Sequence, residues 1–174
     1  MTSSPVIVTE RLEFRLPTKA DIVPMTTIVA HPETGRYLGR GSEFSDHFTR
    51  FQRNCGSWFL HGYGSFILRR RGQAEVIGNA GVFHSYRGLG PDFDDSPEAG
   101  WILAHDQVGQ GLGREAMDAA LAWFEREHGQ QRIVCMTAPE NAASIRLAGK
   151  LGFTHMRDAA LPDGEAVSLF ERPA

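Results

Sequence analysis

The chain of 174 residues is long enough to bury one hydrophobic core, and its 41% hydrophobic and 22% charged residues are typical of a globular domain rather than a disordered or fibrous protein. A net charge of -3 and a sequence pI near 6.2 argue against a nucleic acid as the main ligand. No apolar run reaches membrane-spanning length, and the N-terminus lacks the pattern of a signal peptide, so neither membrane insertion nor export is expected.

Cys55 and Cys135 are the only cysteines, and they lie far apart in the sequence without a metal-ligand spacing. This usage suits a protein of the reducing cytoplasm better than a disulfide scaffold. We therefore expect both thiols to contribute to core packing, and we expect no metal site.

The beginning of the chain predicts a strand behind a short polar leader. Residues 1–5 are expected to be frayed. Within the run from Val6 onward, the alternation of Leu12, Phe14 and Leu16 fits a half-buried strand. Pro17 ends this pattern, because proline cannot continue a strand ladder.

Two helices are predicted next. Thr18 is a plausible N-cap with Asp21 as its capping partner three residues later, and the first helix is expected to close at His31. A second helical spacing begins near Ser45 and extends towards Cys55.

A two-stranded hairpin and an acidic loop follow. The strands are expected over Tyr63 to Leu68 and Ala74 to His84. Three consecutive arginines, residues 69–71, lie at the intervening turn, and a solvated turn is favoured for them over a ligand patch. The loop from Leu89 to Pro97 contains three aspartates, which either attract a cationic substrate or, as the sequence favours, only solvate the loop.

The central part of the chain predicts a strand, a long helix and a second strand. The strand covers Ala99 to Ala104, and the amphipathic helix runs from about Gly113 to His128, with Gly129 as its expected stop. A short β-rich run over Arg132 to Thr137 follows. This order implies a right-handed crossover between two parallel strands.

The C-terminal part predicts one more helix and a closing hairpin. Asn141 is an N-cap candidate for a helix that Gly152 ends, and Phe153 begins the first strand of the hairpin. A Pro-Asp-Gly turn at residues 162–164 connects it to the last strand. No internal repeat or linker is evident, so a single domain is expected over residues 1–174.

Gly109, Gly111 and Gly113 form a glycine-rich turn directly before the long helix. Such a turn directs backbone N–H groups and the positive end of the helix dipole at an anion. It lacks the lysine of a P-loop, and its glycines alternate where a dinucleotide fingerprint needs Gly-x-Gly-x-x-Gly. The turn therefore favours a pyrophosphate-bearing ligand other than ATP or NAD, and coenzyme A is the obvious candidate.

Four segments, which together span nearly the whole chain, carry a family resemblance. They are Thr9-Glu10-Arg11-Leu12 with Arg15, Glu98-Ala99-Gly100-Trp101-Ile102-Leu103, residues 109–116, and residues 141–144 followed by Lys150-Leu151-Gly152-Phe153. In this order and at these spacings they resemble the GNAT superfamily of N-acetyltransferases, and within it the branch of ribosomal-protein N-terminal alanine acetyltransferases.

The resemblance implies a single-domain α+β fold with a mixed, mostly antiparallel sheet flanked by helices. Two splayed parallel central strands would admit the pantetheine arm of acetyl-CoA like an extra strand. The amides of residues 109–114 would hold the pyrophosphate, and the strand end would bond the pantetheine. The implied coenzyme-binding residues are Leu103, Ala104, Gly109, Gln110, Gly111, Leu112, Gly113, Arg114, Asn141 and Ser144.

Acetyl transfer requires an unprotonated amine, a donor for the developing oxyanion and a proton for the leaving thiolate. By family position Glu98 is the candidate base, directly or through water, and the alternative is an exposed glutamate at a strand end. An N–H near Ile102 or Leu103 would serve the oxyanion, typically worth about 3 kcal/mol. Ser144 is the nearest candidate acid, and the alternative is a first-turn serine that bonds helix backbone.

The sequence departs from the family pattern at two positions. Val108 stands where Arg or Gln is usual, which is tolerable because backbone amides do most of the pyrophosphate binding. Ala148 stands where many relatives have a tyrosine in the last helix. His84, His105 and His155 are possible proton shuttles, although a structural or solvated role is favoured for each.

These features predict an N-acetyltransferase that moves acetyl from acetyl-CoA to a primary amine by direct attack in a ternary complex. The alternative is a non-catalytic acyl-CoA-binding or regulatory module on the same fold. An α-amine with a reference pKa of about 8 is more reactive at neutral pH than a lysine near 10.4, which favours a peptide or protein N-terminus or a small amine. The acceptor, a preference for another acyl-CoA and a homodimer all stay open.

Overall fold

The computed structural model describes residues 4–39, 41 and 43–174, so residues 1–3 of the predicted leader lie outside it. One α+β domain forms around an eight-stranded sheet. Its strands are β1 (Ile7–Val8), β2 (Leu12–Arg15), β3 (Ser65–Arg70), β4 (Val76–Phe83), β5 (Glu98–Leu103), β6 (Ile133–Thr137), β7 (Thr154–Ala160) and β8 (Ala166–Arg172). Its helices are α1 (Ile22–Ala30), α2 (Pro32–Gly35), α3 (Phe44–His61), α4 (Pro91–Asp94), α5 (Leu112–His128) and α6 (Ala142–Lys150).

The sheet has the strand order β1-β2-β3-β4-β5-β6-β8-β7. All neighbours are antiparallel except β5 and β6, which are joined through α5 and run parallel, as the strand-helix-strand order predicts. These two strands share a single residue pair, Glu98 with Val134. From Ala99 to Leu103, β5 therefore separates from β6, and the predicted splay is confirmed.

Helices cover both faces of the sheet. On one face α5 turns a continuous apolar stripe towards the strands, as its helical spacing predicts. The buried residues of this stripe are Leu112, Ala116, Met117, Ala120, Leu121 and Phe124. On the other face a smaller core cluster holds α1 and α3 against β3 and β4 through Met25, Phe51, Ile67 and Val76.

The second helix of the chain is longer than its sequence pattern indicates. Instead of ending near Cys55, α3 continues through Gly56 to His61. Trp58 explains the extension, because its ring packs on Phe66 with the centroids 4.9 Å apart. Gly62, with a φ of 77°, then ends the helix in the left-handed conformation that glycine tolerates.

The capping box predicted at Thr18 and Asp21 is present, on a short 3-10 turn over residues 19–21 that leads into α1. The Asp21 carboxylate accepts hydrogen bonds from the Thr18 amide at 2.8 Å and from its hydroxyl at 2.7 Å. Arg69 of β3 also reaches this carboxylate at 2.6 Å, with both side chains almost fully buried. The expectation of a solvated arginine turn is therefore wrong for Arg69, which tertiary pairing takes into the core.

The acidic loop before β5 is organised by its own aspartates. Asp92 forms a bidentate pair with Arg157 of β7, with both distances at 2.9 Å. Asp94 accepts hydrogen bonds from the backbone amides of residues 87–89 at 2.9 to 3.1 Å. Neither predicted role, attraction of a cationic substrate or simple solvation, describes these two residues, because their carboxylate oxygens are hydrogen-bonded to other groups of the protein.

Cys135 is buried and Cys55 half-buried, and both are free thiols. Within the described part of the chain, no three ligand-type side chains are grouped as a metal ion would need. None of the helices seen there combines the length and the hydropathy that crossing a bilayer requires.

Candidate active site

The gap between β5 and β6 exposes one edge of β5, and hydrogen bonds on either side show which groups face it. On the β6 side the Val134 amide donates to the Pro97 carbonyl at 2.9 Å. On the β4 side the Ala104 amide donates to the Ile77 carbonyl, also at 2.9 Å. Because successive strand residues direct their amides to opposite sides, odd-numbered positions of β5 face the gap and even-numbered positions face β4.

This alternation corrects two sequence predictions. Ile102 is paired with β4 and directs its amide there, so it is not placed to serve as the oxyanion donor. The Ala104 amide is bonded to the Ile77 carbonyl, so it cannot donate to a pantetheine arm. The open amides belong to Trp101 and Leu103. Sequence alone could not distinguish neighbours, since a shift of one residue inverts the register.

The glycine-rich turn presents backbone amides, as predicted. Gly109 and Gly111 both have a φ of 77°, a conformation in which any other residue is strained. The first hydrogen bond of α5 returns from the Glu115 amide to the Gly111 carbonyl at 3.1 Å. The amides of residues 112–114 therefore have no helical acceptor, and they lie at the positive end of the helix dipole.

The start of α5 is tied to the N-terminal segment by Glu115. Its carboxylate accepts from the Thr9 hydroxyl at 2.6 Å, the Arg11 amide at 3.0 Å and the Arg11 Nε at 2.6 Å. Although burial acts in the opposite direction, these bonds hold the pKa of Glu115 below its usual range. Arg11 also donates to the Gln110 carbonyl at 2.8 Å. The Thr9-to-Arg11 segment thus fixes the turn in place.

A second arginine holds the turn from the other side. Arg70 of β3 donates to the side chains of Gln107, at 3.0 Å, and Gln110. The expectation of a solvated turn is therefore wrong for this arginine as well. Arg114 instead pairs with Asp118 on the surface of α5, so its amide rather than its guanidinium faces the turn.

The beginning of α6 contributes two groups near the gap. The Asn141 side chain accepts the Ser144 amide at 3.1 Å, which confirms the predicted N-cap. The Ser144 hydroxyl lies 3.3 Å from the indole Nε1 of Trp101, which donates to it. Ala148 is buried in the core, so the position of the usual tyrosine brings no hydroxyl to the site.

An open cleft of about 410 Å³ lies on the face of the sheet covered by α1 and α3. Glu98, Gly100 and Ile102 share this face of β5 because strand side chains alternate. Gly100 makes room for the Phe83 ring, since a Cβ there would lie 2.8 Å from it. The acidic, basic and histidine residues of the wall are Asp46, His47, Arg50, Arg53, His84, Arg87, Glu98, Asp163 and Glu165.

Glu98 is only 2% exposed and is held by Arg87, which follows β4. The guanidinium donates to both carboxylate oxygens, Nε to Oε2 at 3.0 Å and Nη2 to Oε1 at 2.9 Å. Burial raises the pKa of the Glu98 carboxyl above its usual range, while the charge and hydrogen bonds of Arg87 act in the opposite direction. The alternative of an exposed glutamate at a strand end is therefore wrong.

Of the three histidines considered as shuttles, only His84 lines the cleft. Its Nε2 lies 3.0 Å from the Asp94 carbonyl, which can only accept, so this nitrogen carries the proton. Nδ1 is then left to accept from the Tyr63 hydroxyl at 3.4 Å. His105 stacks on a second histidine away from the cleft, and His155 pairs with an acidic neighbour in β7.

Several residues of the cleft carry no motif that would identify them. Arg87 lies in a loop with no recognisable pattern, and Asn79 lies in the middle of an apolar strand. The only sequence signal is the helical spacing of His47, Arg50 and Arg53, which places their side chains on one face of α3. Only the packing of α3 over β4 brings these groups together with Glu98.

A family model described as an acetyltransferase (GNAT) domain matches residues 11–154. Among solved structures, the chain is similar to a GNAT-family acetyltransferase from Bordetella pertussis, with 35% sequence identity and a TM-score of 0.83 over 95% of this chain and 98% of that one.

More distant structures share the fold. A ribosomal-protein-S5-alanine acetyltransferase from Vibrio fischeri is 16% identical, with a TM-score of 0.71 over 96% of this chain and 95% of that one. A ribosomal L7/L12 alpha-N-protein acetyltransferase, solved in complex with coenzyme A, is 18% identical, with a TM-score of 0.74 over 98% of both chains.

Proposed function

Since the chain belongs to the GNAT acetyltransferase family and is an acetyl-CoA-dependent acetyltransferase, we propose that it acetylates a primary amine by direct attack within the cleft. The observation that carries this proposal is the position of Glu98. This buried carboxylate begins the strand whose free edge faces the gap, and its side chain faces the cleft.

The coenzyme fits the groups that the chain leaves open. The unpaired amides of residues 112–114 suit the pyrophosphate, and the edge amides of Trp101 and Leu103 suit the amides of a pantetheine arm laid along β5. Trp101 of β5 and Met136 of β6 both line the cleft, and Gly113 of the glycine turn lies against Leu103 at the end of β5. Bound acetyl-CoA supplies the electrophilic carbonyl of its thioester.

Glu98 accepts the proton that the attacking amine loses, directly or through one water. Arg87 occupies one lone pair on each carboxylate oxygen, and each oxygen keeps another for this purpose. Because burial raises the pKa of Glu98, its carboxylate is a stronger base than an exposed one. Arg87 positions the carboxylate and keeps it ionised.

The edge of β5 and the start of α6 complete the arrangement. The amide of Trp101 or Leu103 donates to the carbonyl oxygen as it gains negative charge, a contribution typically worth about 3 kcal/mol. As the C–S bond breaks, the Ser144 hydroxyl on the α6 side donates a hydrogen bond that stabilises the departing thiolate, which then takes its proton from solvent. Its bond from Trp101 orients the hydroxyl so that its own proton is free to be donated.

Direct attack is favoured over an acetylated enzyme. Cys135 is buried, and burial raises the pKa of its thiol far above the usual range, so the thiolate that a nucleophile needs is suppressed. Ser144 has Trp101 as its side-chain partner and no basic side chain bonded to it in the described part of the chain. Cys55 does not line the cleft, so the acceptor amine is the favoured nucleophile.

The test is to incubate the protein and acetyl-CoA with a panel of primary amines, namely peptides with free N-termini, amino acids and polyamines, while free thiol is measured. We expect amine-dependent thiol release and an N-acetylated product. If coenzyme A binds with micromolar affinity but no amine stimulates thiol release, the protein is an acyl-CoA-binding module and the proposal is wrong.

A further inference from the structure

The wall of the cleft opposite β5 is formed by one face of α3. His47, Arg50 and Arg53 are spaced by three residues and lie side by side along this face. Asn79 of β4 adjoins them from the floor of the cleft and is paired across the sheet with Ile102. We call His47, Arg50 and Asn79 the α3 subsite.

Arg50 is a half-buried cation without a carboxylate partner among the residues that the structure describes. Its guanidinium donates to the Leu38 carbonyl, a neutral acceptor. Burial lowers the pKa of Arg50, and the positive charges of Arg87 and Arg53 lower it further. A desolvated guanidinium among like charges is stabilised by an anion, since burial of an unpaired charge is costly.

Two neutral side chains beside Arg50 also have groups open to a ligand. His47 is 9% exposed, and its buried Nε2 has no hydrogen-bond partner. The side-chain amide of Asn79 forms no hydrogen bond within the described part of the chain. Buried polar groups are nearly always paired, so the unpaired His47 nitrogen beside a cation without a carboxylate partner indicates a missing ligand, and the partly exposed Asn79 amide adds an open donor.

The carboxylates of the cleft do not fill this subsite. Glu98 is held by Arg87, Asp46 accepts from the Glu43 amide at 3.2 Å, and Asp163 accepts from the Glu165 amide at 3.0 Å. Glu165 attracts Arg50 electrostatically but forms no ion pair with it. It lies instead against Gly39, where an added Cβ would be 2.8 Å from its Oε2.

We propose that the acceptor is a primary amine that also carries a carboxylate, which binds at the α3 subsite while the amine faces Glu98. This inference rests on the proposed acetyl transfer and names its substrate class. Arg50 donates to the carboxylate, with Asn79 and His47 as further donors, and Arg53 lies one helical turn away at the mouth. An acidic small molecule and an acidic peptide N-terminus share this chemistry.

The experiment compares matched acceptors with and without the charge. The acceptors are amino acids and acidic dipeptides, each with free carboxylates and with the carboxylates converted to primary amides. We expect the wild type to favour the carboxylate form in kcat/KM. Because amidation also changes the pKa of the amine, the decisive quantity is how this preference changes in variants. The better substrate pair then shows whether the acceptor is a small molecule or a peptide.

Arg50→Gln should reduce the preference about 10- to 100-fold, the usual effect of losing a charge-assisted hydrogen bond, with the amide acceptors nearly unaffected. Arg50→Lys keeps the charge and should restore much of the preference. Asn79→Asp, which preserves the shape, should act against carboxylate acceptors alone. Arg71→Gln is the matched control, because Arg71 is exposed and lies outside the cleft.

The outcomes separate the two proposals. No thiol release with any acceptor would overturn the proposed function itself. A ratio of kcat/KM values between the two acceptor forms that Arg50→Gln and Asn79→Asp leave unchanged would overturn the subsite while leaving acetyl transfer intact. If Arg50→Gln impairs both forms equally and lowers the melting temperature, Asn79→Asp decides between a structural and a recognition role.

Discussion

The coenzyme side and the acceptor side of the cleft differ in how their polar groups are satisfied. On the coenzyme side Glu115 is saturated by Thr9 and Arg11, and Arg70 is bonded to the side chains of the turn. The groups on that side that are left without a hydrogen-bond partner are backbone amides. On the acceptor side the open groups are side chains, namely those of Arg50, His47 and Asn79.

This difference matches what each side has to recognise. A pyrophosphate and a pantetheine arm are the same in every acyl-CoA, so a fixed backbone cradle serves, and its glycine spacing is visible in the sequence. An acceptor is particular to one enzyme, and side chains from separate elements define it. Substitutions should therefore affect one side without the other, in ways that kinetics can separate.

Glu98 lies where the two sides meet, and Glu98→Gln should have the largest effect. Loss of a general base typically reduces kcat by about 10²- to 10⁴-fold. The coenzyme side does not touch this side chain, so the affinity for coenzyme A in calorimetry should be unchanged. A variant with wild-type kcat would remove Glu98 from catalysis, and a variant that no longer binds coenzyme A would show that the two sides are not separable.

The pH dependence sharpens the assignment of the base. The carboxylate is the active form and burial raises its pKa, so ionisation of Glu98 should add a rise of about tenfold in kcat/KM per pH unit up to a value above the ordinary range of glutamate, beyond which only ionisation of the amine contributes. Measurement with several acceptors distinguishes this limb from amine ionisation, which moves with the acceptor. In the wild type, the part of the pH profile due to Glu98 should stay at the same pH with every acceptor. In Glu98→Gln it should be absent, and a limb that persists in this variant belongs to another group.

Gly111→Ala is the complementary change on the coenzyme side. Its φ of 77° is strained for alanine by about 1–2 kcal/mol, which corresponds to a loss of about 5- to 30-fold in affinity for coenzyme A if the turn relaxes. The preference between acceptors should not change. Gly129→Ala is the matched control, because Gly129 has a φ of 81° at the opposite end of α5, where an added Cβ would meet no other atom within 4 Å. It should lower stability similarly and leave coenzyme binding intact; equal binding losses in both variants would contradict the cradle.

Val108→Arg should have the smallest effect. The side chain is 58% exposed at the start of the turn, where an added cation approaches the pyrophosphate through solvent. Exposed charge pairs contribute about 1 kcal/mol or less, so the KM for acetyl-CoA should fall no more than about fivefold, and the gain should vanish in high salt. A gain that resists salt would indicate a buried pairing, contrary to the exposed position.

The elements with local signals could be predicted from the sequence. The glycine turn, the amphipathic stripe of α5, the Asn141 cap and the parallel crossover all follow from short-range patterns. The features of the acceptor side depend on tertiary packing, so they could not be predicted from the sequence. The burial of Glu98 and its pairing with Arg87 depend on a loop folding back over β4, and nothing local marks either.

Two corrections illustrate the same limit. The choice between Ile102 and its neighbours depends on the register of β5 against β4, which the sequence leaves open by one residue. A run of three charged residues at the β3–β4 turn predicts solvated side chains. Two of these arginines are instead bound within the protein, Arg69 by Asp21 and Arg70 by the glutamines after β5. Whether a charged side chain is solvated or buried in an ion pair depends on partners that are distant in the sequence.

The most direct test of direct acetyl transfer is a single-turnover reaction with isotope-labelled acetyl-CoA and a carboxylate-bearing amine, followed by intact-protein and small-molecule mass spectrometry. The account predicts that the label appears on the amine while the protein mass stays unchanged at every time point, and that Glu98→Gln slows this transfer. A labelled acetyl group that accumulates on the protein before the product forms would contradict direct attack.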